Sequence, residues 1–287
     1  MELPKKNLMT PVIASPEVTR HILSKFKLTA HKKFGQNFLI DKSVVEKIVA
    51  AAELFDADNV LEIGPGIGTL TQGLAESGAK VTAVELDKNL LPVLETTLAS
   101  YSNVKILQGD ILDCDIAKIM ENQSFKCCAN LPYYITTPII FRFLQQNLNW
   151  ERLVFMVQKE VAERIVAKPG GKDYGELSVA MQFYTKPKIA FFVSPSSFLP
   201  SPQVESAVLV CRRLQKPPVE INDKNLFFKI VKAAFSVRRK MLNNSLKNMG
   251  MTTEEVKAWL LRAEIDGQRR AETLTLEEFA KLEKSFS

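Results

Sequence analysis

A glycine-rich turn constrains the fold of this chain more than any other feature of its sequence. The turn Gly64-Pro-Gly66-Ile-Gly68 joins the short apolar run 59–63 to a helical pattern at 69–77. Glycines allow a tight strand-to-helix turn and a close approach of a ligand to the main chain. The G-x-G-x-G spacing has Thr69 where a dinucleotide fingerprint needs a small residue, and it lacks the lysine of a P-loop. The turn therefore favours an adenosine-type ligand without phosphates, with a plain structural turn as the alternative.

Strand-like and helix-like patterns alternate over most of the chain. Besides 59–63, the strand-like runs are 79–84, 104–108, 125–129, 151–157 and 188–193. The helical patterns are 41–54, 69–77, 88–99, 137–147, 158–167 and 175–184. Such alternation is typical of parallel βαβ units and predicts an α/β fold with a doubly wound sheet. A last β-rich run, 204–213, follows a proline-punctuated loop, and we expect it to pair antiparallel at the edge of the sheet.

The chain changes character after Leu214. The segment Gln215-Lys-Pro-Pro218 predicts a turn or linker, because its two prolines cannot continue a central strand. The patterns that follow are helical: 223–236, 239–249, 252–261 and 275–285. Thr275 and Glu278 predict a capping box for the last of them. We therefore expect a small all-helical domain over 215–287.

The net charge of +6 over 287 residues is unevenly distributed. Residues 1–42 carry a net charge of +5 and residues 212–270 a net charge of +8, whereas the remainder is acidic at −7. Blocks of one sign are typical of surfaces that meet a polyanion, so the two basic flanks favour nucleic acid as a partner. Lysine-rich helix faces that only meet solvent are the alternative interpretation.

Cysteine and histidine usage gives no indication of a metal protein. The four cysteines follow no metal-ligand or disulfide spacing, and His21 and His31 are the only histidines. We therefore expect no metal site and a reducing, cytoplasmic compartment. The sequence contains neither a long apolar run nor a signal-peptide pattern, so we expect no membrane partner.

Acidic residues follow the second and third strand-like runs. Glu85 lies 21 residues after Gly64, where a carboxylate can accept hydrogen bonds from both hydroxyls of a ribose. Asp110 follows the run 104–108, where it can accept a hydrogen bond from an adenine amino group. Each acid alone would be interpreted as a solvated turn residue. Together with the glycine turn they predict a ligand crevice along the carboxyl edge of the sheet.

The segment Asn130-Leu131-Pro132-Tyr133-Tyr134 follows the fourth strand-like run. An asparagine carbonyl and the main-chain carbonyl beside a proline can both accept from one exocyclic amine, which directs the lone pair of its nitrogen toward an electrophile. Proline has no N–H to compete and stiffens the loop. The adjacent tyrosine offers a flat face to a flipped-out base. A proline turn with two core tyrosines is the structural alternative.

These motifs together resemble the ribosomal RNA adenine N6-dimethyltransferases. The matching stretches are Gln36-Asn37-Phe38-Leu39, 62–71, Glu85, Gly109-Asp110, Asn130-Leu131-Pro132-Tyr133 and 198–207. The match runs in order from about residue 31 to about residue 250 and is closest to the bacterial KsgA type, which modifies small-subunit RNA. Residues 1–30 look like a variable extension, so we expect the α/β domain over 31–214.

The resemblance implies a Rossmann-like methyltransferase sheet and S-adenosylmethionine as the methyl donor. It assigns donor binding to Asn37, Leu39, Gly64, Glu85, Asp110 with Ile111, and Asn130. It assigns the target adenine to Asn130, Leu131, Pro132, Tyr133 and Phe198, with Tyr133 and Phe198 on opposite faces of the base. Because a sulfonium is an excellent leaving group, positioning and desolvation of the amine are expected to suffice without a general base.

The same resemblance gives the basic flanks a role. Lys32 and Lys33 precede the donor-binding segment, and Arg238, Arg239 and Lys240 resemble the RNA-contacting segment of the family at the start of the second tail helix. We expect these cations to neutralise phosphates and to make RNA binding strongly salt-dependent. The expected partner is small-subunit ribosomal RNA in an immature 30S particle, bound by a monomer.

The function that the resemblance implies is dimethylation of N6 on two adjacent adenosines near the 3′ end of 16S ribosomal RNA during 30S biogenesis. Leu131 departs from the double proline that is common in DNA adenine methylases, which favours RNA dimethylation. One alternative is a large-subunit adenine methylase of the macrolide-resistance type, from which Gly66-Ile-Gly68 and Leu131 differ. The other is a non-enzymatic RNA-binding assembly factor, which would not need the donor-pocket residues.

Overall fold

The computed structural model describes residues 11–28, 36–237 and 239–286. The strands are β1 (Phe38–Leu39), β2 (Asn59–Ile63), β3 (Lys80–Glu85), β4 (Val104–Gln108), β5 (Phe125–Asn130), β6 (Trp150–Gln158), β7 (Thr185–Val193), β8 (Phe198–Leu199) and β9 (Ser206–Arg213). The helices are α1 (Pro16–Lys25), α2 (Lys42–Ala52), α3 (Thr69–Glu76), α4 (Leu91–Thr97), α5 (Ile116–Ile119), α6 (Thr136–Gln145), α7 (Lys159–Val166), α8 (Glu176–Tyr184), α9 (Lys224–Phe235), α10 (Leu242–Ser245), α11 (Thr253–Arg262) and α12 (Leu276–Lys284). Strands and helices alternate from β2 to α6, as the sequence pattern predicts.

The main sheet has seven strands in the order β4-β3-β2-β5-β6-β9-β7, and β1 pairs with β8 in a separate two-stranded sheet. β2 runs parallel to both β3 and β5, β3 to β4, and β5 to β6. The chain thus moves outward from β2 to β4 and then returns to the other side of β2. The carboxyl ends of β2 and β5 are therefore neighbours at a switch point, where open α/β sheets bind ligands. This topology confirms the predicted doubly wound α/β sheet.

The position predicted for the last strand was wrong. β9 lies between β6 and β7, whereas the sequence favoured the sheet edge. Its first six residues, 206–211, are all buried, because an inner strand is covered on both faces. The edge position belongs to β7, in which exposed lysines and Pro187 occur, as is typical of an edge strand.

α2 illustrates how local sequence places the strand that carries the glycine turn. The Asp41 carboxylate accepts a hydrogen bond from the N–H of Ser43 at 3.0 Å and so caps the first turn of the helix. Val45 and Ile48 are buried in one apolar cluster with Val60 of β2. The cap and the apolar face fix α2, which lies within the predicted helical pattern 41–54, against β2.

The chain divides into two compact units. The first comprises the described parts of 1–159 together with 190–210, and the second comprises 160–189 and the described parts of 211–287. The second unit has its own apolar core, in which Trp259 is fully buried and donates its ring N–H to the carbonyl of Leu282 at 2.9 Å. α7 and α8 belong to this unit together with the tail helices. The boundary expected at residue 214 stays a prediction from the sequence.

Two helical segments differ from the sequence expectations. α1 lies in the region that was interpreted as a variable extension. The helix expected over 239–249 begins only at Leu242, because the main chain of Met241 forms a β-bridge with Arg270 and is held extended. The capping box of α12 is confirmed: Thr275 and Glu278 each accept the other's main-chain N–H. None of the helices in the described ranges is long and apolar enough to cross a membrane.

Candidate active site

An open cleft lies at the carboxyl ends of β2, β3, β4 and β5 and has an empty volume of about 1040 Å³. The residues predicted from the sequence that line it are Asn37, Leu39, Gly64, Glu85, Asp110, Ile111, Asn130, Leu131, Pro132 and Tyr133. They come from stretches that are far apart in sequence and meet because parallel strands end at one edge of the sheet. The predicted ligand crevice therefore exists as one continuous cavity.

The glycine turn between β2 and α3 forms the floor of the cleft. Gly68 has φ of +94° at the start of α3, a conformation that side chains rarely adopt, and an added Cβ would lie 3.1 Å from Oγ1 of Thr97. Gly66 has φ of +61°, and a Cβ there would lie 3.6 Å from the ring of Phe38. The turn therefore needs glycine for backbone conformation at both positions and for space at Gly68.

Glu85 ends β3 and connects it to the glycine turn. One carboxylate oxygen accepts from the N–H of Gly66 at 3.1 Å, and the other accepts from the N–H of Asp87 at 2.8 Å. Burial raises the pKa of Glu85 above its ordinary value, whereas these two hydrogen bonds act in the opposite direction. Asp87 in turn accepts from Nε2 of Gln36 at 3.0 Å, which fixes the segment before β1 beside the cleft.

Glu62 of β2 is a buried carboxylate with an unpaired oxygen. The residue is 1% exposed, lines the cleft, and its Oε2 has no hydrogen-bond partner in the described parts of the chain. Burial raises its pKa from 4.5 to about 8; the neighbouring hydroxyl of Thr71 opposes this shift, and the nearby charge of Glu85 adds to it. A buried acceptor without a partner is costly, so such a group is a candidate for binding a donor or cation in a ligand.

The loop after β5 holds Asn130 in one orientation. Its side-chain Nδ2 donates to the main-chain carbonyl of Asn37 at 3.3 Å, so its Oδ1 is directed elsewhere. The N–H of Leu131 donates to the carbonyl of Met156 at 3.0 Å, and the carbonyl of Pro132 accepts from Oγ1 of Thr136 at 3.1 Å. The loop is thereby attached at the two residues that follow the asparagine.

Two aromatic side chains follow this loop in the cleft. The hydroxyl of Tyr133 forms a hydrogen bond with Oγ of Ser206 at 2.8 Å, which orients its half-buried ring. Tyr134 is 53% exposed and also lines the cleft. The third predicted aromatic, Phe198, is only 3% exposed, pairs with Leu39 across β1 and β8, and packs in the apolar core outside the cleft. Its contact with a target base stays a prediction.

Two of the five predicted cations are among the residues that the structure describes. Arg239 and Lys240 are exposed in a turn that follows α9. Lys32, Lys33 and Arg238 lie outside the described residues. Within the described residues, no three His, Cys, Asp or Glu side chains are grouped so that they could hold a metal ion.

The comparisons with known proteins agree with the site. The family model of the ribosomal RNA adenine dimethylases matches residues 27–287. The chain belongs to this family. Its relatives include the ribosomal RNA small subunit methyltransferase A of Clostridium botulinum (strain Kyoto / Type A2), which is 47% identical over 92% of this chain and 96% of its own length. The protein of the same name from Alkaliphilus metalliredigens is 47% identical over 95% of this chain and 97% of its own.

Two solved structures show the same fold. A dimethyladenosine transferase from Plasmodium falciparum has a TM-score of 0.73 at 25% identity, covering 85% of this chain and 95% of its own. The 23S rRNA methyltransferase ErmE has a TM-score of 0.66 at 26% identity, covering 87% and 99%. These matches confirm the family, the Rossmann-like fold, an rRNA adenine dimethyltransferase activity and the predicted donor, S-adenosylmethionine.

Glu62 is the residue to which the sequence assigned no role. A signal was present, because Glu62 is the one charged residue in the apolar run 59–63 that forms β2. A carboxylate in a strand that is buried on both faces needs either a partner or a ligand. The sequence alone does not show whether another protein group pairs with Glu62, because hydrogen bonds to buried side chains depend on tertiary packing.

Proposed function

We propose that this dimethylase transfers methyl groups to N6 of two adjacent adenosines near the 3′ end of small-subunit ribosomal RNA, in an immature 30S particle. The observation that carries the proposal is that Asn130, fixed by Asn37, lies in one cleft with three acidic residues, Glu62, Glu85 and Asp110. Two relatives that are 47% identical to this chain over nearly its whole length carry a small-subunit name. The proposal includes the expected monomer and the cytoplasmic location.

The residues of the cleft fit S-adenosylmethionine. This donor carries an α-ammonium and a sulfonium, and Glu62 offers a buried carboxyl oxygen that has no partner among the residues that the structure describes. We assign the ribose hydroxyls to Glu85 and the adenine amine to Asp110, with Ile111 against the base. Gly64, Asn37 and Leu39 would enclose the methionine portion. The resemblance to the family implies these roles, and the chemistry of each side chain and its place in the cleft support them.

Asn130 and Leu131 would hold the target amine. The Nδ2 of Asn130 is occupied by the carbonyl of Asn37, which leaves Oδ1 to accept from N6 of the adenine. The carbonyl of Pro132 is engaged by Thr136, so the carbonyl of Leu131 is the main-chain acceptor that we assign to the second N–H. Tyr133 would stack on the base, with its ring oriented by Ser206.

The chemistry needs position more than activation. When bound, S-adenosylmethionine supplies an electrophilic methyl group on a sulfur that leaves readily. Asn130 and Leu131 aim the lone pair of N6 by accepting its two protons in hydrogen bonds, and the cleft excludes water from the amine. N6 forms a bond to the methyl carbon as the bond between that carbon and sulfur breaks, and the methylated amine then releases one proton to solvent. For the second transfer only one N–H remains, so Asn130 Oδ1 is the acceptor that we expect to be used twice.

Binding of the RNA would depend on the basic flanks. Arg239 and Lys240 are exposed, and we assign them together with Lys32, Lys33 and Arg238 to phosphate contacts. Each neutralised phosphate steepens the slope of the logarithm of RNA affinity against the logarithm of salt concentration by about one. We infer that the tail domain expected over 215–287 contributes most of this electrostatic affinity.

The proposal is tested with purified protein, radiolabelled S-adenosylmethionine and immature 30S particles from cells that lack the modification. We expect incorporation of label into the small-subunit RNA, with N6,N6-dimethyladenosine as the labelled nucleoside. Naked large-subunit RNA and mature 30S particles are the matched controls. Transfer to large-subunit RNA alone would favour the macrolide-resistance alternative, and binding without transfer would favour the assembly-factor alternative.

A further inference from the structure

Residues 11–28 form a folded segment, called here the N-terminal segment, to which the sequence assigned no role. Its helix α1 begins after Ser15, whose hydroxyl accepts from the N–H of Val18 at 3.1 Å. Thr19 is fully buried and donates its hydroxyl to the carbonyl of Ile13 at 3.1 Å. α1 precedes the region, 27–287, that the family model matches. The segment is therefore ordered by contacts of its own.

A single side chain of α3 attaches the start of the N-terminal segment. Gln72 is 4% exposed. Its Oε1 accepts from the N–H of Ile13 at 2.8 Å, and its Nε2 donates to the carbonyl of Pro11 at 3.1 Å and to the hydroxyl of Tyr101 at 3.0 Å. The amide thus pairs with the main chain in both directions, as a neighbouring strand would. α3 is also the helix that follows the glycine turn.

The N-terminal segment packs directly behind one wall of the cleft. Ile13 and Ile22 share one buried apolar cluster with Phe38, Ile67 and Leu90. The last three of these residues also line the cleft. Ile67 belongs to the glycine turn itself, and the ring of Phe38 lies over Gly66. The same side chains therefore contact the N-terminal segment on one side and face the cavity on the other.

We propose that the N-terminal segment positions this wall of the donor pocket and that Gln72 is the positioning residue that attaches it. The inference rests on the donor pocket of the proposed function and concerns affinity for the donor. Without the Gln72 amide, the main-chain N–H of Ile13 loses its acceptor, and the packing behind Ile67 and Phe38 loosens. A pocket that must be ordered on binding has a lower affinity than one that is ordered beforehand. The inference therefore predicts a lower affinity for the donor and an unchanged methylation rate at saturating donor.

The test compares two glutamines in the full-length protein. Gln72→Met removes the amide and keeps the length of the side chain. Gln182→Met is the matched control, because Nε2 of Gln182 donates to the carbonyls of Ile165 at 3.1 Å and Ala167 at 2.8 Å within the second unit. Affinity for S-adenosylmethionine is measured by calorimetry, and the methylation rate of 30S particles is measured at rising donor concentration.

We expect Gln72→Met to weaken donor binding about tenfold, the size expected for loss of buried hydrogen bonds. Saturating donor restores its rate, and Gln182→Met binds the donor like the unmodified protein. Thr19→Val removes only the hydroxyl that holds Ile13 and is expected to weaken donor binding about threefold. This variant decides the question if Gln72→Met does not fold.

The inference is wrong if Thr19→Val and a folded Gln72→Met both bind the donor as the unmodified protein does. It is equally wrong if Gln182→Met loses as much donor affinity as Gln72→Met, or if saturating donor fails to restore the rate. Failure of the proposed function is a separate result. An unmodified protein that binds the donor but methylates no adenosine would refute the proposed function and leave the affinity comparison valid.

Discussion

The two ends of the parallel strands differ in how their buried ionisable side chains are paired. At the amino ends, Lys126 of β5 donates to the carbonyl of Glu53 at 2.6 Å and to the carboxylate of Asp58 at 2.7 Å. Arg152 of β6 donates to the carbonyl of Ala51 at 2.8 Å and forms an ion pair with Glu53. These cations satisfy main-chain carbonyls at the end of α2 and favour its dipole.

At the carboxyl ends, one oxygen of the buried Glu62 carboxyl group has no hydrogen-bond partner among the described residues. This difference separates buried ionisable groups with a structural role from those that are candidates for binding a ligand. Removing one member of a buried ion pair is costly, because the other member is left without its counter-charge. A buried carboxyl group that faces a cavity with an unpaired oxygen is instead a candidate for binding a ligand. Substitution of Lys126 at the amino ends should therefore lower stability and leave donor binding unchanged. Substitution of Glu62 at the carboxyl ends should lower donor affinity without lowering stability.

The largest effect is expected at the carboxyl end, from Asn130→Ala. Without the oriented amide the target amine is no longer aimed, and the methylation rate of 30S particles should fall at least about a hundredfold. RNA affinity, measured by filter binding, should persist. Asn59→Ala is the matched control, since Asn59 begins β2 at the opposite end and contacts Gln123. A rate that survives with only weaker donor binding would contradict the amine-holding role.

At the amino end, Lys126→Met should destabilise the protein without changing the donor pocket. The Lys126 side chain is 9% exposed, and its loss removes one donor from the Asp58 carboxylate and one from the Glu53 carbonyl. We expect a loss of about 3 kcal/mol in the free energy of unfolding, measured by urea denaturation. Donor affinity should stay unchanged. A variant as stable as the unmodified protein would contradict the structural role of Lys126.

Glu62→Gln should have the opposite signature. Loss of the carboxylate should weaken S-adenosylmethionine binding about tenfold, because a cationic donor loses its buried counter-charge. At pH 8 the free energy of unfolding should be unchanged or higher by about 1 kcal/mol, since glutamine avoids the cost of burying a carboxylate that has begun to ionise. Calorimetry and urea denaturation measure the two quantities. Glu95→Gln, on the exposed face of α4, is the control for both. Donor affinity equal to that of the unmodified protein would contradict the assignment of Glu62.

The pH dependence of stability gives a smaller, graded effect. In the folded protein the pKa of Glu62 is raised from 4.5 to about 8, so the folded state keeps a proton that the unfolded chain has released. The free energy of unfolding should therefore fall as pH rises from 5 to 8, with Glu62 contributing about 1 kcal/mol per pH unit. Urea denaturation across this range, compared with Glu62→Gln, isolates the contribution. Parallel curves for the two proteins would contradict it.

The smallest effect is expected from Tyr133→Phe. The ring that would stack on the base is kept, and only the hydrogen bond to Ser206 is lost. We expect the methylation rate to fall about threefold. Tyr133→Ala, which removes the ring, should cost much more. Equal rates for the two variants would show that the ring has no part in holding the base.

Most of the cleft could be predicted from the sequence because its residues follow strands. Glu85, Asp110 and Asn130 come directly at or after strand ends, and parallel strands bring such positions to one edge whatever the side chains between them. The alternating pattern alone was therefore enough to place these residues in one cavity. Their hydrogen-bond partners, such as Asn37 for Asn130, required the tertiary structure.

The parts that could not be predicted depend on contacts between distant stretches. Phe198 is buried because β8 pairs with β1, far away in the sequence. α1 is held by Gln72, and the turn before α10 is held by the bridge between Met241 and Arg270. Local patterns carry no information on such pairings, because each is decided by packing and by main-chain hydrogen bonds of the partner segment.

The central claim is that the carboxyl end of the sheet methylates adenosines of the small-subunit RNA. Mass mapping of methyladenosines in ribosomal RNA, from cells with the unmodified protein and from cells with Asn130→Ala in its place, tests it most directly. We expect N6,N6-dimethyladenosine at two neighbouring positions near the 3′ end of 16S RNA, present with the unmodified protein and lost with the variant. Identical maps, or a difference confined to large-subunit RNA, would contradict it.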